Sequence, residues 1–140
     1  STTQEEKELS ADLKSRFHVR AKKNQRILEL QRQLKSLLQS GELAEAERTV
    51  QKMNKLLDNN SLIQKWQGVL ALKKKNYQRA QEFFSKIWEN NAQNPTIGVN
   101  LVLALLGQEK LQRAQSIYEY LEENFPQDPH LDKIDFLADM

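Results

Sequence analysis

The chain has 140 residues, of which 39% are hydrophobic and 29% are charged, and its formal net charge is +2. That length and composition fit one globular domain and leave no room for a second domain with its own core. Four Gly and three Pro are too few for the many turns of a sheet protein, and the absence of Cys excludes disulfides and thiolate chemistry, so we expect an all-helical fold.

The first predicted element is a charged helical extension over residues 1–26 that runs on into the next helix. Leu9, Leu13 and Phe17 recur every fourth residue, so they lie on one helical face and form an apolar stripe. Leaving such side chains in water forfeits roughly 1.5 to 3 kcal/mol apiece. We therefore predict that the stripe contacts a partner, as in a homodimer through this helix. The expected mate is the acidic C-terminal region of a second copy, with its apolar residues Leu131, Ile134 and Leu137.

Helical hairpins are expected after this extension, because short polar breaks separate the apolar segments. Asn94-Pro95 and Asp128-Pro129 each place a capping residue before a Pro, which is typical of a helix start. The helices are predicted over residues 27–39, 43–57, 61–74, 77–91, 95–107, 111–124 and 128–139. The last of them forms a capping segment over residues 128–140.

A repeat appears when the chain is aligned with itself at an offset of about 34 residues. Ala46, Ala80 and Ala114 fall in register, and apolar residues recur three positions before and four and seven positions after each of them. These spacings place a narrow apolar stripe on a helix, with a small residue in its middle where a neighbouring helix can approach closely. Three hairpins are therefore predicted, over residues 27–60, 61–94 and 95–127.

The three copies resemble the tetratricopeptide-repeat family, whose pattern has a small residue in the first helix, an aromatic before the second, and then Ala-x-x-x-Phe and a closing Pro. The first copy departs from it with Val50 at the aromatic position, and the third with Val102 at the small position. Over residues 27–126 the resemblance implies a right-handed superhelical stack of antiparallel helix hairpins, an α-solenoid. It implies repeat-core roles for Ala46, Gly68, Tyr77, Ala80, Phe84, Ala114 and Tyr118.

The same resemblance implies a protein-binding scaffold in which the first helix of each hairpin lines a concave groove. This groove is apolar with a few lysines, and it suits an amphipathic helix or an extended apolar segment that carries acidic groups. An alternative is that the protein's own flanking helix fills it. The predicted groove residues are Leu28, Gln31, Lys35, Leu38, Lys65, Val69, Leu72, Lys73, Val99, Leu103 and Leu106.

Family members that hold the terminal carboxylate of a chaperone use Lys, Asn and Arg side chains on their groove helices. That clamp is absent from this sequence, so chaperone-tail binding is not predicted. The matching positions hold Gln31, Lys35, Trp66, Thr96 and Asn100.

Other chemistry has little support in the sequence. His18 and His130 lie far apart and belong to no metal-ligand spacing, and the four glycines form no phosphate-binding loop. Paired acids such as Glu122-Glu123 are typical of solvated helix ends and not of acid-base catalysis. We expect no catalytic residue, no metal and no cofactor.

Two alternative functions concern the basic part of the extension, where eight Lys or Arg stand against one acid between residues 14 and 35. Such a helix can contact an anionic membrane surface or nucleic acid. Its bases spread around the helix, and Phe17 is the only aromatic among them, which favours a solvated helix over either partner.

The cellular setting is predicted by analogy alone. Compact repeat domains with a charged helical extension are similar to parts of bacterial membrane-associated assembly systems, such as pilus or secretion machinery. Since the chain does not begin with Met, a membrane anchor upstream of Ser1 is compatible with it, and the compartment stays open.

Overall fold

The structure is a computed structural model and describes residues 2–58, 60–91 and 94–132. These residues form α1 (Thr2–Gln39), α2 (Leu43–Leu57), α3 (Ser61–Lys73), α4 (Tyr77–Asn90), α5 (Pro95–Gly107) and α6 (Leu111–Asn124). No strand occurs among the described residues, so the all-helical fold class is confirmed. Helices α2 to α6 begin at the predicted residues, and α3 and α4 end one residue earlier than predicted.

Helix α1 joins the extension and the first repeat helix in one uninterrupted helix of 38 residues. Every side chain from Thr3 to Arg26 is exposed. The burial changes at Ile27, whereas the backbone runs on without a break. From that point a buried apolar residue recurs every three or four positions, at Ile27, Leu30, Leu34 and Leu38.

Consecutive helices pack against each other along the chain, and α3 also contacts α5. The core has two clusters of buried side chains. The first lies among α1, α2 and α3, around Leu34 and Met53, and the second lies among α3 to α6, around Phe84. Neighbouring residues of α3 belong to different clusters, Leu70 to the first and Ala71 to the second, so α3 joins the hairpins into one stack.

The repeat period appears directly in the backbone of the turns inside the hairpins. Gly41, Lys75 and Glu109 occupy the same position in successive repeats and have positive φ angles of 76°, 62° and 61°. In each turn the next backbone amide donates to the carbonyl five residues earlier, which closes the helix in a Schellman motif. These bonds are Glu42 N to Leu37 O at 2.9 Å, Asn76 N to Ala71 O at 2.8 Å and Lys110 N to Leu105 O at 3.0 Å. Only the first turn uses Gly at the left-handed position.

Asparagine side chains cap the first turns of α3, α4 and α5. The Oδ1 atom of Asn94 accepts from the amides of Thr96 and Ile97, with Pro95 as the first helical residue, as the sequence predicts. Asp128 accepts from the amide of His130 in the same way, at 2.8 Å. The predicted capping segment begins there, but residues 133–140 lie outside the described part of the chain.

Small residues mark the places where helices approach most closely. Ala46, Ala80 and Ala114 are all buried. A Cβ atom on Gly68 would lie 2.6 Å from Cζ of Phe84, so the ring occupies the space that a side chain would need. A larger side chain at any of these positions would force the neighbouring helices apart, so the small residues allow the hairpins to pack closely.

Candidate protein-binding groove

A cavity of about 560 Å³ opens between α3 and α5, the first helices of the second and third hairpins. Its apolar wall combines Val69 and Leu72 of α3 with Leu103 and Leu106 of α5, and exposed Lys73 adds a positive charge. The two pairs occupy equivalent positions in successive repeats, so the stacking of the repeats brings them together. Five of the predicted groove residues therefore lie around one concave surface.

Three residues that the sequence analysis did not assign to the groove also line this cavity, namely Tyr77, Asn100 and Gly107. The Tyr77 ring lies against the end of α5, since a Cβ atom on Gly107 would be 2.4 Å from its Cδ1 atom. The left-handed residue of that turn is Glu109, so the backbone itself does not require Gly107. A glycine that no turn requires indicates close packing, but the sequence alone does not show which residue of this turn is left-handed.

Lys35 of α1 and Lys65 of α3, two other predicted groove residues, do not line this cavity. Lys65 is half-buried, and its Nζ atom lies 4.5 Å from the centroid of the Trp66 ring. Burial lowers the pKa of Lys65, and the charge of Lys35 on α1 lowers it further. The two like charges therefore oppose each other, and a negative group near them would stabilise both.

Trp66 belongs to the core. Its side chain is only 6% exposed and packs in the first cluster, although its Nε1 atom finds no hydrogen-bond partner in the described part of the chain. The position where the carboxylate clamp would need an asparagine is thus filled by a buried indole.

Two of the predicted groove residues are core residues instead. Leu38 is 9% exposed and packs in the first cluster, and Val99 is 3% exposed and packs in the second. Each first helix also packs against the second helices beside it, so its apolar surface is wider than the groove and part of it is buried. Gln31 is half-buried, and Leu28 is exposed on α1.

Another surface of the stack carries polar contacts between neighbouring hairpins. The Nζ atom of Lys74 lies 2.8 Å from Oε2 of Glu47, and this contact lowers the pKa of the Glu47 carboxyl. At the equivalent position of the next repeat, the Nε2 atom of Gln108 donates to Oε1 of Gln81 at 2.8 Å. The contact is ionic at one junction and a neutral amide pair at the next, so its position repeats while its charge does not.

The described residues hold no group of three or more His, Asp or Glu side chains arranged to bind a metal ion. His130 instead pairs locally, with its Nδ1 atom 2.7 Å from Oδ1 of Asp128. In the same part of the chain, no helix combines the length and the apolar character needed to cross a membrane.

Comparison with known proteins identifies the class of fold. Residues 71–134, which run from the end of α3 past α6, match the family described as Tetratricopeptide repeat. No curated protein and no solved structure was found to match the chain. The predicted resemblance is confirmed over the matched residues, and the all-helical architecture agrees with it. Tetratricopeptide repeats in general mediate protein–protein interaction and act as non-catalytic scaffolds.

Proposed function

We propose that the chain is a non-catalytic scaffold that binds a helical or extended segment of another protein in the groove between α3 and α5. The observation that carries the proposal is the cavity of about 560 Å³ whose wall joins equivalent apolar residues of two repeats. Val69, Leu72, Leu103 and Leu106 are all partly exposed there. A partner that covers them gains the free energy of removing apolar surface from water.

The lysines define the chemistry of that partner. Exposed Lys73 lines the cavity, whereas exposed Lys35 and half-buried Lys65 lie outside its lining, and the pKa of Lys65 is lowered by burial and by Lys35. An Asp or Glu of the bound segment would place a negative charge near these ammonium groups and remove part of their mutual repulsion. The expected ligand is therefore a segment with an apolar face and one or more acidic residues.

Binding to a selected peptide tests this proposal. Short peptides are selected from a random library on the full chain, and their affinity is measured by fluorescence anisotropy. We expect the selected sequences to combine apolar residues with Asp or Glu. The substitutions Val69→Glu and Leu103→Glu should each weaken binding by more than about tenfold, because a charge would then face an apolar surface without a partner.

Leu111→Glu is the matched control, because Leu111 on α6 is 61% exposed and does not line the cavity. It should bind the peptide as the wild type does, and circular dichroism should show the same helicity in all three variants. Lys65→Met should weaken binding most for the peptides richest in acid. If both groove variants bind normally, the partner uses another face and the proposal is wrong.

The finer parts of the functional prediction remain proposals. A bacterial membrane-associated assembly, such as pilus or secretion machinery, stays a prediction that nothing in the structure tests. That the protein's own flanking helix fills the groove also stays a prediction, and residues 133–140 of the predicted capping segment lie outside the described part. The homodimer through the extension stays a prediction, and so do its alternatives, contact with a membrane surface or with nucleic acid. All three would use the exposed half of α1.

A further inference from the structure

The N-terminal half of α1 carries an apolar face that the described residues of its own chain leave uncovered. Leu9, Leu13 and Phe17 are 59%, 40% and 69% exposed, and they share one surface of the helix with Glu6 and Lys14. Residues 3–26 are all exposed, so at 1.5 Å per residue a rod of about 36 Å lies outside the core of the stack. Most helices in proteins are stabilised by packing of such a face, which indicates a partner for this one.

One of the three apolar residues expected to cover the stripe is buried within its own chain. Leu131, in the acidic C-terminal region, is buried in the second core cluster of its own chain. Ile134 and Leu137 lie outside the described residues. The charges of the helix itself indicate which partner the stripe fits.

Those charges divide the exposed half of α1 into two parts of opposite sign. Residues 4–13 contain four acids and one base, whereas residues 14–26 contain six bases and no acid. Laid antiparallel, two such helices place the acidic part of each against the basic part of the other. A parallel pair would instead place like charges side by side, which is unfavourable.

The apolar stripe fits the same arrangement. Leu9 and Phe17 are each four residues from Leu13, so in an antiparallel pair centred on Leu13 the Leu9 of each copy meets the Phe17 of the other. Glu6 and Arg20 are each seven residues from Leu13, close to two helical turns, and so lie on the same face as the stripe. In this register Glu6 of each copy meets Arg20 of the other.

We propose that two copies of this chain associate through an antiparallel pair of α1 N-terminal halves, with Leu13 at the two-fold axis and Glu6 opposite Arg20 at both ends. The pair is isologous, so each favourable contact occurs twice. The two repeat stacks lie at opposite ends of the pair, where both grooves stay accessible. An anionic lipid surface fits the stripe less well, because Glu6 shares the face that would meet the lipid.

Sedimentation equilibrium of the full chain and its charge-swap variants tests the pairing. At tens of micromolar we expect a dimer for the wild type and a monomer for Leu13→Asp, which places two carboxylates at the axis. Glu6→Arg and Arg20→Glu should each raise the dimer dissociation constant by more than about tenfold, because each sets like charges together twice. The double swap Glu6→Arg with Arg20→Glu should restore it to near the wild-type value.

Val19→Asp is the matched control, because Val19 is 63% exposed and lies six residues from Leu13, about 120° around the helix from the stripe. It should leave the dimer unchanged. A monomeric wild type, or a double swap as weak as the single variants, overturns the antiparallel register. Co-sedimentation with vesicles containing phosphatidylglycerol tests the alternative that the stripe binds an anionic lipid surface. A chain that is monomeric in buffer but binds these vesicles, and loses that binding in Leu13→Asp, has a lipid surface as its partner and the proposal is wrong.

Discussion

The two halves of α1 have similar apolar periodicity, but one half is exposed and the other is packed in the core. In residues 3–26 an apolar side chain recurs every fourth residue and is exposed, whereas from Ile27 to Leu38 a buried apolar side chain recurs every third or fourth residue. Nothing in the backbone marks the change, since the helix is continuous. The comparison teaches that periodicity identifies a helix with an apolar face, while burial depends on whether other helices of the chain reach that face.

The largest expected loss of stability is for a substitution in the buried half of α1. Leu34 is fully buried in the first cluster, so Leu34→Ala should lower the free energy of unfolding by about 2 to 5 kcal/mol, from lost burial and the cavity that remains. Urea unfolding followed by circular dichroism measures it. A loss below about 1 kcal/mol would mean that α1 is not held in the stack as described.

Close packing between helices should be nearly as sensitive. Ala80 is fully buried where α4 packs in the second cluster, so Ala80→Leu should overpack the middle hairpin and cost about 1 to 3 kcal/mol in urea unfolding. Ala21→Leu makes the same change on the exposed half of α1 and serves as the control. Equal unfolding free energies for the two variants would contradict the proposed difference between the halves.

A substitution in a turn of the stack should have a smaller effect on the free energy of unfolding, and it should stabilise the protein. Lys75 has a φ of 62°, a left-handed conformation that glycine adopts at little steric cost. Lys75→Gly should therefore stabilise the protein by up to about 1 kcal/mol. Gly41→Ala, at the equivalent turn with a φ of 76°, should destabilise it by a similar amount. Thermal unfolding of both variants checks the sign, and a destabilised Lys75→Gly would show that this turn is held by contacts of the lysine side chain.

The smallest effect is expected in the exposed half. Leu13→Ala should change the unfolding free energy of the monomer by less than about 0.5 kcal/mol, because no described residue of its own chain covers the stripe. The measurement belongs at a protein concentration far below that at which the wild type dimerises. A loss as large as that of Leu34→Ala would mean that the stripe is buried in the monomer.

Much of the cavity lining could be predicted from the repeat alone. Val69 and Leu103 are equivalent residues of the first helices, and the structure places both on one cavity. Leu38 and Val99 were wrongly expected on the same surface, because helical periodicity gives the direction of a side chain without showing which neighbouring helix covers it. Tyr77 was assigned to the core and also lines the cavity, since its ring crosses to Gly107 of the next hairpin.

The sequence by itself determined the elements and the repeat. Apolar spacing and asparagine caps depend on contacts within a helix or across one turn, and the repeat register is the recurrence of those local patterns, so all three can be read from the sequence. Tertiary structure alone decided which apolar faces are covered. Leu34 and Leu13 lie on one continuous helix, but among the described helices of the chain others pack against Leu34 and none against Leu13, so the first is core and the second is surface. Burial is a property of the whole stack, because it depends on residues distant in the chain.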